Sequence, residues 1–244
     1  MKKLKTIFVV MLCAAILLPA ARPLDAAGIA PTGGSLLSDI YTDKAMYHPG
    51  DTVTVTLELT NSTGAQVHNG TAKIQARHLN VETGEAVCRS FSLASGASHK
   101  LEIGWSAPAA DFTGYLLECD IYDENGSLMD SGSVGVDVSS SWVKFPRYGY
   151  LYDFNESADT PAKIEEMNRY HINGIEYYDW QYRHHEPLPS WSTSENIGTW
   201  QDWAGRTICG STIQSYIEAA KSRNMVNMAY DMISVSYTHL RAHE

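Results

Sequence analysis

Ile172-Asn173-Gly174-Ile175-Glu176-Tyr177-Tyr178-Asp179-Trp180-Gln181-Tyr182-Arg183-His184-His185-Glu186-Pro187 opens apolar and β-prone. It then becomes a run of aromatics, acids, an arginine and two histidines, closed by proline. A short buried strand breaking into a polar, aromatic loop is how an α/β barrel presents a site, because functional groups there sit at the C-terminal ends of strands and in the loops that follow. Aromatic faces interleaved with Asp, Arg and His also suit a sugar, which offers apolar C–H faces and a rim of hydroxyls. The stretch therefore reads as part of a carbohydrate site.

The sequence around it supplies the rest of the α/β pattern. Residues 148–154 are a strand candidate, and residues 161–171 read as a helix. Thr160 is the expected cap, Pro161 suits the first turn, and Ile164, Met167 and Asn168 or His171 fall at helical spacing. The focal strand, residues 174–180, is followed by a long loop carrying Trp191, Trp200 and Trp203. A second helix over 211–223 has Ile213, Tyr216, Ile217 and Ala220 on its apolar side, and residues 225–233 form a third strand. The order βαβαβ predicts parallel strands with right-handed crossovers. Three strands do not close a barrel, so residues 142–233 are expected to be the opening of one.

Upstream, residues 35–138 are all-β. Thr52-Val53-Thr54-Val55-Thr56-Leu57-Glu58-Leu59 alternates with period two, after the turn Pro49-Gly50-Asp51. Further strand-like runs cover 71–79, 87–93, 99–105, 115–122 and 133–138, separated by turn-forming Asn, Gly, Ser and Asp. This is the pattern of an immunoglobulin-like β-sandwich. It carries no catalytic constellation and reads as a structural or spacer domain, with a carbohydrate-binding module as the alternative. Ser139-Ser140-Ser141 is the linker.

The termini belong to neither domain. Residues 1–27 combine a basic start (Lys2, Lys3, Lys5), an apolar run over 6–18 and a small-residue stretch ending near Ala26 or Ala27, the build of a secretory signal peptide. A lipid anchor at Cys13 is disfavoured by bulky Leu12 before it. Residues 234–244 have no periodicity and match an in-frame translation of a transposase sequencing adapter, so they are set aside. With them goes the four-residue spacing of His239 and His243, and the natural product is expected to continue past Ile233. The formal charge of -10 argues against nucleic acid or an anionic membrane surface as partner. After processing, Cys88, Cys119 and Cys209 remain. Export permits a Cys88–Cys119 disulfide, but three buried thiols are the simpler expectation.

Several stretches in the same order carry a resemblance. They are Ser141-Trp142-Val143-Lys144-Phe145-Pro146-Arg147-Tyr148-Gly149-Tyr150, His171-Ile172-Asn173-Gly174, Tyr178-Asp179-Trp180-Gln181-Tyr182-Arg183-His184-His185, and Ser222-Arg223-Asn224-Met225 with Met228-Ala229-Tyr230. Together they resemble glycoside hydrolase family 66, the dextranases and cycloisomaltooligosaccharide glucanotransferases, weakly over the sandwich and strongly from Trp142. The resemblance implies an N-terminal immunoglobulin-like domain, a (β/α)8 barrel and C-terminal β domains. It also implies a retaining attack on dextran or isomaltooligosaccharides, with no cofactor. The family's nucleophile Asp and acid/base Glu lie on later strands, so neither is assigned here.

Asp179 is the residue most expected in the site. The resemblance suggests an acid holding the sugar by its hydroxyls, with Tyr178, Trp180, Arg183, His184 and His185 lining the same pocket. The bland reading of Asp179 is a strand-end brace, and Trp180 is equally readable as a stacking residue or as core. Trp191, Trp200 and Trp203 read as loop packing. Glu176, three residues before Asp179, would face the other side of a strand and could not pair with it. His184 and His185 lack metal-ligand spacing, and no GxSxG, P-loop, GxGxxG or HExxH motif occurs. Dextran hydrolysis is the first expectation for the whole protein. Cyclisation and a non-catalytic glucan-binding surface protein are the alternatives.

Overall fold

The computed structural model describes residues 36–231, so the leader expected at 1–27 and the tail at 234–244 lie outside the described residues. The first half is a two-sheet β-sandwich. Strands β1 (Leu37–Thr42) and β2 (Thr52–Thr60) pair with the later β5 (Ser98–Ser106) in the order β1-β2-β5. The second sheet holds β3 (Val67–His78), β4 (Val81–Leu93), β6 (Thr113–Tyr122) and β7 (Leu128–Val138) in the order β4-β3-β6-β7. All neighbours within the two sheets run antiparallel. The period-two pattern explains the packing. Val53, Val55, Leu57 and Leu59 of β2 all point inward, where Ile74 of β3 and Leu117 and Ile121 of β6 meet them in one core. Strand β1 was not expected, because its sequence never alternates cleanly and its register shifts between Leu37 and Asp39.

The sandwich corrects the cysteine reading. Cys88 is exposed, whereas Cys119 and Cys209 are buried, and all three are free thiols. Cys88 lies opposite Lys73 and Cys119 opposite Ile74, consecutive residues of β3 whose side chains face opposite sides of the sheet. With β3 between them the two are about 9–10 Å apart, beyond the reach of about 7 Å for a disulfide. Burial, with Asp120 and Asp130 adding to it, pushes the Cys119 thiol up to about 12. Iodoacetamide at neutral pH should therefore alkylate Cys88 first and Cys119 only after unfolding, as read by peptide mass spectrometry. Equal native labelling of the two would contradict this placement.

The second half is α/β. Parallel strands β8 (Tyr148–Leu151), β9 (Gly174–Tyr177) and β12 (Val226–Ala229) lie in the order β12-β9-β8. Between them come α1 (Thr160–Arg169), a hairpin of β10 (Thr199–Gln201) and β11 (Thr207–Cys209), and α2 (Gly210–Ser222). Each parallel strand is four residues long, shorter than the runs read from sequence, because the ladder stops where the polar loops begin. Asp159, not Thr160, caps α1. Its Oδ1 accepts from the N–H of Ala162 at 3.1 Å, and Thr160 is already helical.

Both helices end the same way. His171 and Asn224 adopt left-handed φ values of 54° and 56°. The N–H groups of Ile172 and Met225 then bond the carbonyls of Met167 and Ala220, at 3.1 and 3.0 Å. This double closure satisfies orphan carbonyls and turns the chain directly into the next strand.

The helices cover one face of the parallel sheet, where Ile164, Tyr216 and Ala220 pack against Leu151, Ile175 and Tyr177. The other face carries the exposed Tyr148 and Tyr150 with half-buried Glu176. Sandwich and sheet are joined directly. Asn168 donates to the Thr42 carbonyl at 2.7 Å and Asn224 to that of Met46 at 2.9 Å. The Arg169 guanidinium lies 3.4 Å from the Tyr41 ring centroid and pairs with Asp39. Among the described residues no helix is long and apolar enough to cross a membrane.

Candidate functional site

The three parallel strands end in step, since Leu151, Tyr177 and Ala229 share one register level. The next residue of each strand is a tyrosine: Tyr152, Tyr178 and Tyr230. Backbone bonds carry the alignment one step further, from the Tyr178 N–H to Leu151 at 2.8 Å and from the Tyr230 N–H to Tyr177 at 3.2 Å. Tyr178 and Tyr230 meet with ring centroids 4.7 Å apart, and Tyr150 reaches Tyr178 at 6.2 Å. The result is an aromatic row across the C-terminal edge of the sheet.

Asp179 follows directly. The chain leaves β9 through a turn in which Asp179 takes a left-handed φ of 54°, a conformation that Asp and Asn tolerate better than most residues. The turn breaks strand alternation, so the face argument applied to Glu176 stops at Tyr177. Asp179 is only 6% exposed, and its Oδ2 accepts from Arg206 Nη2 at 2.9 Å. No hydrogen bond to its Oδ1 is present among the described residues.

Arg206 comes from the unexpected hairpin. Its Nε donates to Asp202 Oδ2 at 2.6 Å, while Asp202 Oδ1 accepts from the N–H groups of Ala204 at 2.9 Å and Arg206 at 2.7 Å. Gly205, at φ 78°, closes the turn. Burial opposes the Arg206 charge, but the hydrogen bonds to Asp179 and then Asp202 outweigh it and raise the guanidinium above its ordinary value. Two carboxylates thus share one guanidinium.

The other sequence candidates divide. Trp180 is half-buried, and its indole N–H donates to the Tyr230 carbonyl at 3.0 Å, which makes it a brace under the site. Trp200 is buried and donates to the Trp180 carbonyl at 3.1 Å. Arg183 is exposed and lies 4.7 Å from the ring of its neighbour Tyr182. Reciprocal backbone bonds between Arg183 and Glu186 hold His184 and His185 in a tight turn. His185 points to solvent, whereas the His184 ring lies 5.8 Å from that of Trp203. A cavity of about 710 Å3 lies between β8 and α1, lined by Tyr152, Asp153, Lys163 and Tyr216, and none of the six candidates touches it. Its lining includes the exposed Lys163–Glu166 pair at 2.8 Å, whereas Asp179 is a buried carboxylate held by a guanidinium at the end of a parallel strand.

Comparisons with known proteins agree with one another. A profile described as glycosyl hydrolase family 66 matches residues 42–241. A cycloisomaltooligosaccharide glucanotransferase of Niallia circulans is 36% identical over 212 residues, covering 84% of this chain and 21% of the relative. A dextranase of Streptococcus salivarius is 25% identical over 155 residues, 59% of this chain and 19% of the relative. A solved Paenibacillus glucanotransferase, complexed with cycloisomaltoheptaose, superposes with a TM-score of 0.74 at 33% identity. The match covers 82% of this chain and 28% of that one. The chain thus spans about a fifth of the length of the curated relatives it matches.

Proposed function

The chain belongs to glycosyl hydrolase family 66, and on that premise we propose that it is the N-terminal part of a secreted enzyme that cleaves α-1,6-linked glucan with retention of configuration. Asp179 holds a glucosyl unit in this reading. The observation that carries it is the placement of Asp179. It is a buried carboxylate at the C-terminal end of a parallel strand, with one oxygen held by Arg206 and tyrosines alongside. Strands β8, β9 and β12 are then the first three of a (β/α)8 barrel. Their open face, with Tyr148, Tyr150 and Glu176, becomes the barrel interior, and the sandwich is the immunoglobulin-like domain ahead of it.

The chemistry divides accordingly. A retaining cleavage needs a nucleophilic carboxylate and a carboxylic acid about 5–5.5 Å apart. Asp179 and Asp202 are not cast as that pair, since both are engaged by the one guanidinium of Arg206. The nucleophile and acid/base belong to later strands of the barrel. Asp179 accepts a hydrogen bond from a sugar hydroxyl through its other oxygen, an interaction that gains strength as positive charge develops on the ring.

Cyclisation of isomaltooligosaccharides is the second reading. It is favoured by the 36% identity to a glucanotransferase, against 25% to a dextranase. Hydrolysis and cyclisation differ only in whether water or a sugar hydroxyl takes the glucosyl intermediate. The test is to sequence the source gene beyond the codon for Ile233, express its complete product and incubate it with dextran. Shortened isomaltooligosaccharides are expected for hydrolysis and cyclic products lacking the elements of water for transfer. The 244-residue chain alone should release no reducing sugar. A complete product that leaves dextran intact, or activity in the short chain, would overturn the reading.

A further inference from the structure

We propose that the turn 202–206 of the β10–β11 hairpin is a working part of the glucan site: Arg206 is a positioning residue that sets the Asp179 carboxylate, and Trp203 is a stacking surface for a neighbouring glucosyl ring. This deepens the function proposed above and rests on Asp179 contacting sugar.

The geometry of Arg206 is that of a fixed fork. Asp202 has no side-chain exposure and is anchored by two backbone N–H groups of its own turn. It holds Arg206 through Nε, at 2.6 Å, while the Arg206 backbone is fixed by the same turn. The remaining arm, Nη2, is thereby aimed at Asp179 Oδ2, 2.9 Å away. A planar guanidinium held at two points loses little freedom when it binds a carboxylate. A salt bridge serving only stability would need one carboxylate. Here Asp202 already satisfies that need, and the second arm fixes Asp179 through Oδ2, while Oδ1 has no hydrogen bond among the described residues and remains for a hydroxyl donor.

Trp203 is the next residue of the same turn. Its ring centroid lies 6.0 Å from the Arg206 guanidinium and 5.8 Å from the His184 ring. It is 58% exposed, whereas Trp200 of the same hairpin is 4% exposed and hydrogen-bonded. Trp200 therefore does the packing, and the exposed indole presents an apolar face next to a hydroxyl acceptor. A sugar ring needs both: a flat surface for its C–H face and an ionised oxygen at its rim. The short residue link from Asp179 through Arg206 to Trp203 puts the two within one site.

Kinetics of the complete gene product on isomaltooligosaccharides test this. Arg206→Ala should lose about 100-fold in kcat/KM, mostly in kcat, as expected when a reacting group is misplaced by about 1 Å. Arg206→Lys should not recover it, because an ammonium cannot span two carboxylates, whereas added guanidinium should restore part of the Arg206→Ala rate. Asp179→Asn combined with Arg206→Ala should be no worse than Asp179→Asn alone, since both remove one interaction. Trp203→Ala should raise KM about 10-fold with little change in kcat.

An Arg206→Ala enzyme within about threefold of wild type, while Asp179→Asn is inactive, overturns the hairpin proposal and spares the reading of Asp179. Additive losses without guanidinium rescue overturn it too. Wild-type turnover by Asp179→Asn removes the reading on which it rests. Should Arg206→Ala fail to fold, Arg206→Lys, which keeps the charge, carries the same comparison.

Discussion

Asp179→Asn in the complete enzyme is expected to lower kcat on dextran by at least about 100-fold, the usual loss on removing one pre-organised electrostatic contact in an active site. Asparagine is the informative replacement. Asp179 has a left-handed φ of 54°, which asparagine tolerates and alanine adopts only at a cost of about 1 kcal/mol or more. The asparagine variant therefore keeps the turn and the side-chain shape and removes only the charge. Its amide oxygen can still meet Arg206, but as a neutral acceptor about half as strong. Asp202 still holds the guanidinium through Nε, so the hairpin stays in place and the melting temperature should barely move. Steady-state rates on dextran, paired with a thermal melt of the same preparation, separate the two effects. A variant that keeps more than about a tenth of the wild-type kcat would show that the negative charge at this position is not used. A large drop in both activity and melting temperature would point to a strand-end brace.

The legibility of this chain followed the length of its repeating patterns. Strand β2 and the two helices were visible because period two and period 3.6 run long enough in them to stand out. The parallel arrangement followed from their order. Strands β10 and β11, three residues each, are too short to show any period. Only Asp202 and Gly205 marked their turn, inside a loop already crowded with polar residues. The site divides the same way. Asp179 was readable because an acid among aromatics just after an apolar strand is a local signal. Arg206 lies 27 residues further on, and only the fold brings it to Asp179. Trp180 could be read either way from sequence. What decides is its indole bond to the Tyr230 carbonyl, a contact between two strand ends that no local pattern encodes. Cys88 failed as a buried thiol because β4 leaves its first residues exposed on both faces, so a cysteine there gains little burial.

Asn173→Ala should be clearly destabilising to the α/β half, at about 2 kcal/mol, from two half-buried partners left without a hydrogen bond at about 1 kcal/mol each, the low end of the cost for an unsatisfied group. Asn173 has 0% exposure. Its Oδ1 accepts from the Arg147 N–H at 2.9 Å and its Nδ2 donates to the Phe145 carbonyl at 2.8 Å. Its own backbone N–H bonds the Arg147 carbonyl at 3.1 Å, and its carbonyl accepts from Val226 at 2.8 Å. One residue thus ties together the entries to β8, β9 and β12, the ends of the strands opposite the site. Alanine keeps the backbone bonds and strands the other two partners. Asn173→Asp would be no remedy, since a carboxylate facing the Phe145 carbonyl replaces an attraction with a repulsion and buries a charge. Five of the six tryptophans, all but Trp105, lie in the α/β half, so fluorescence in a urea titration follows that half while far-UV circular dichroism is weighted to the sandwich. The fluorescence midpoint of Asn173→Ala should fall well below that of the parent chain, with the sandwich transition far less changed. A loss under about 1 kcal/mol would mean that water reaches and satisfies the Phe145 and Arg147 groups, and that the three strand entries are held by backbone pairing alone.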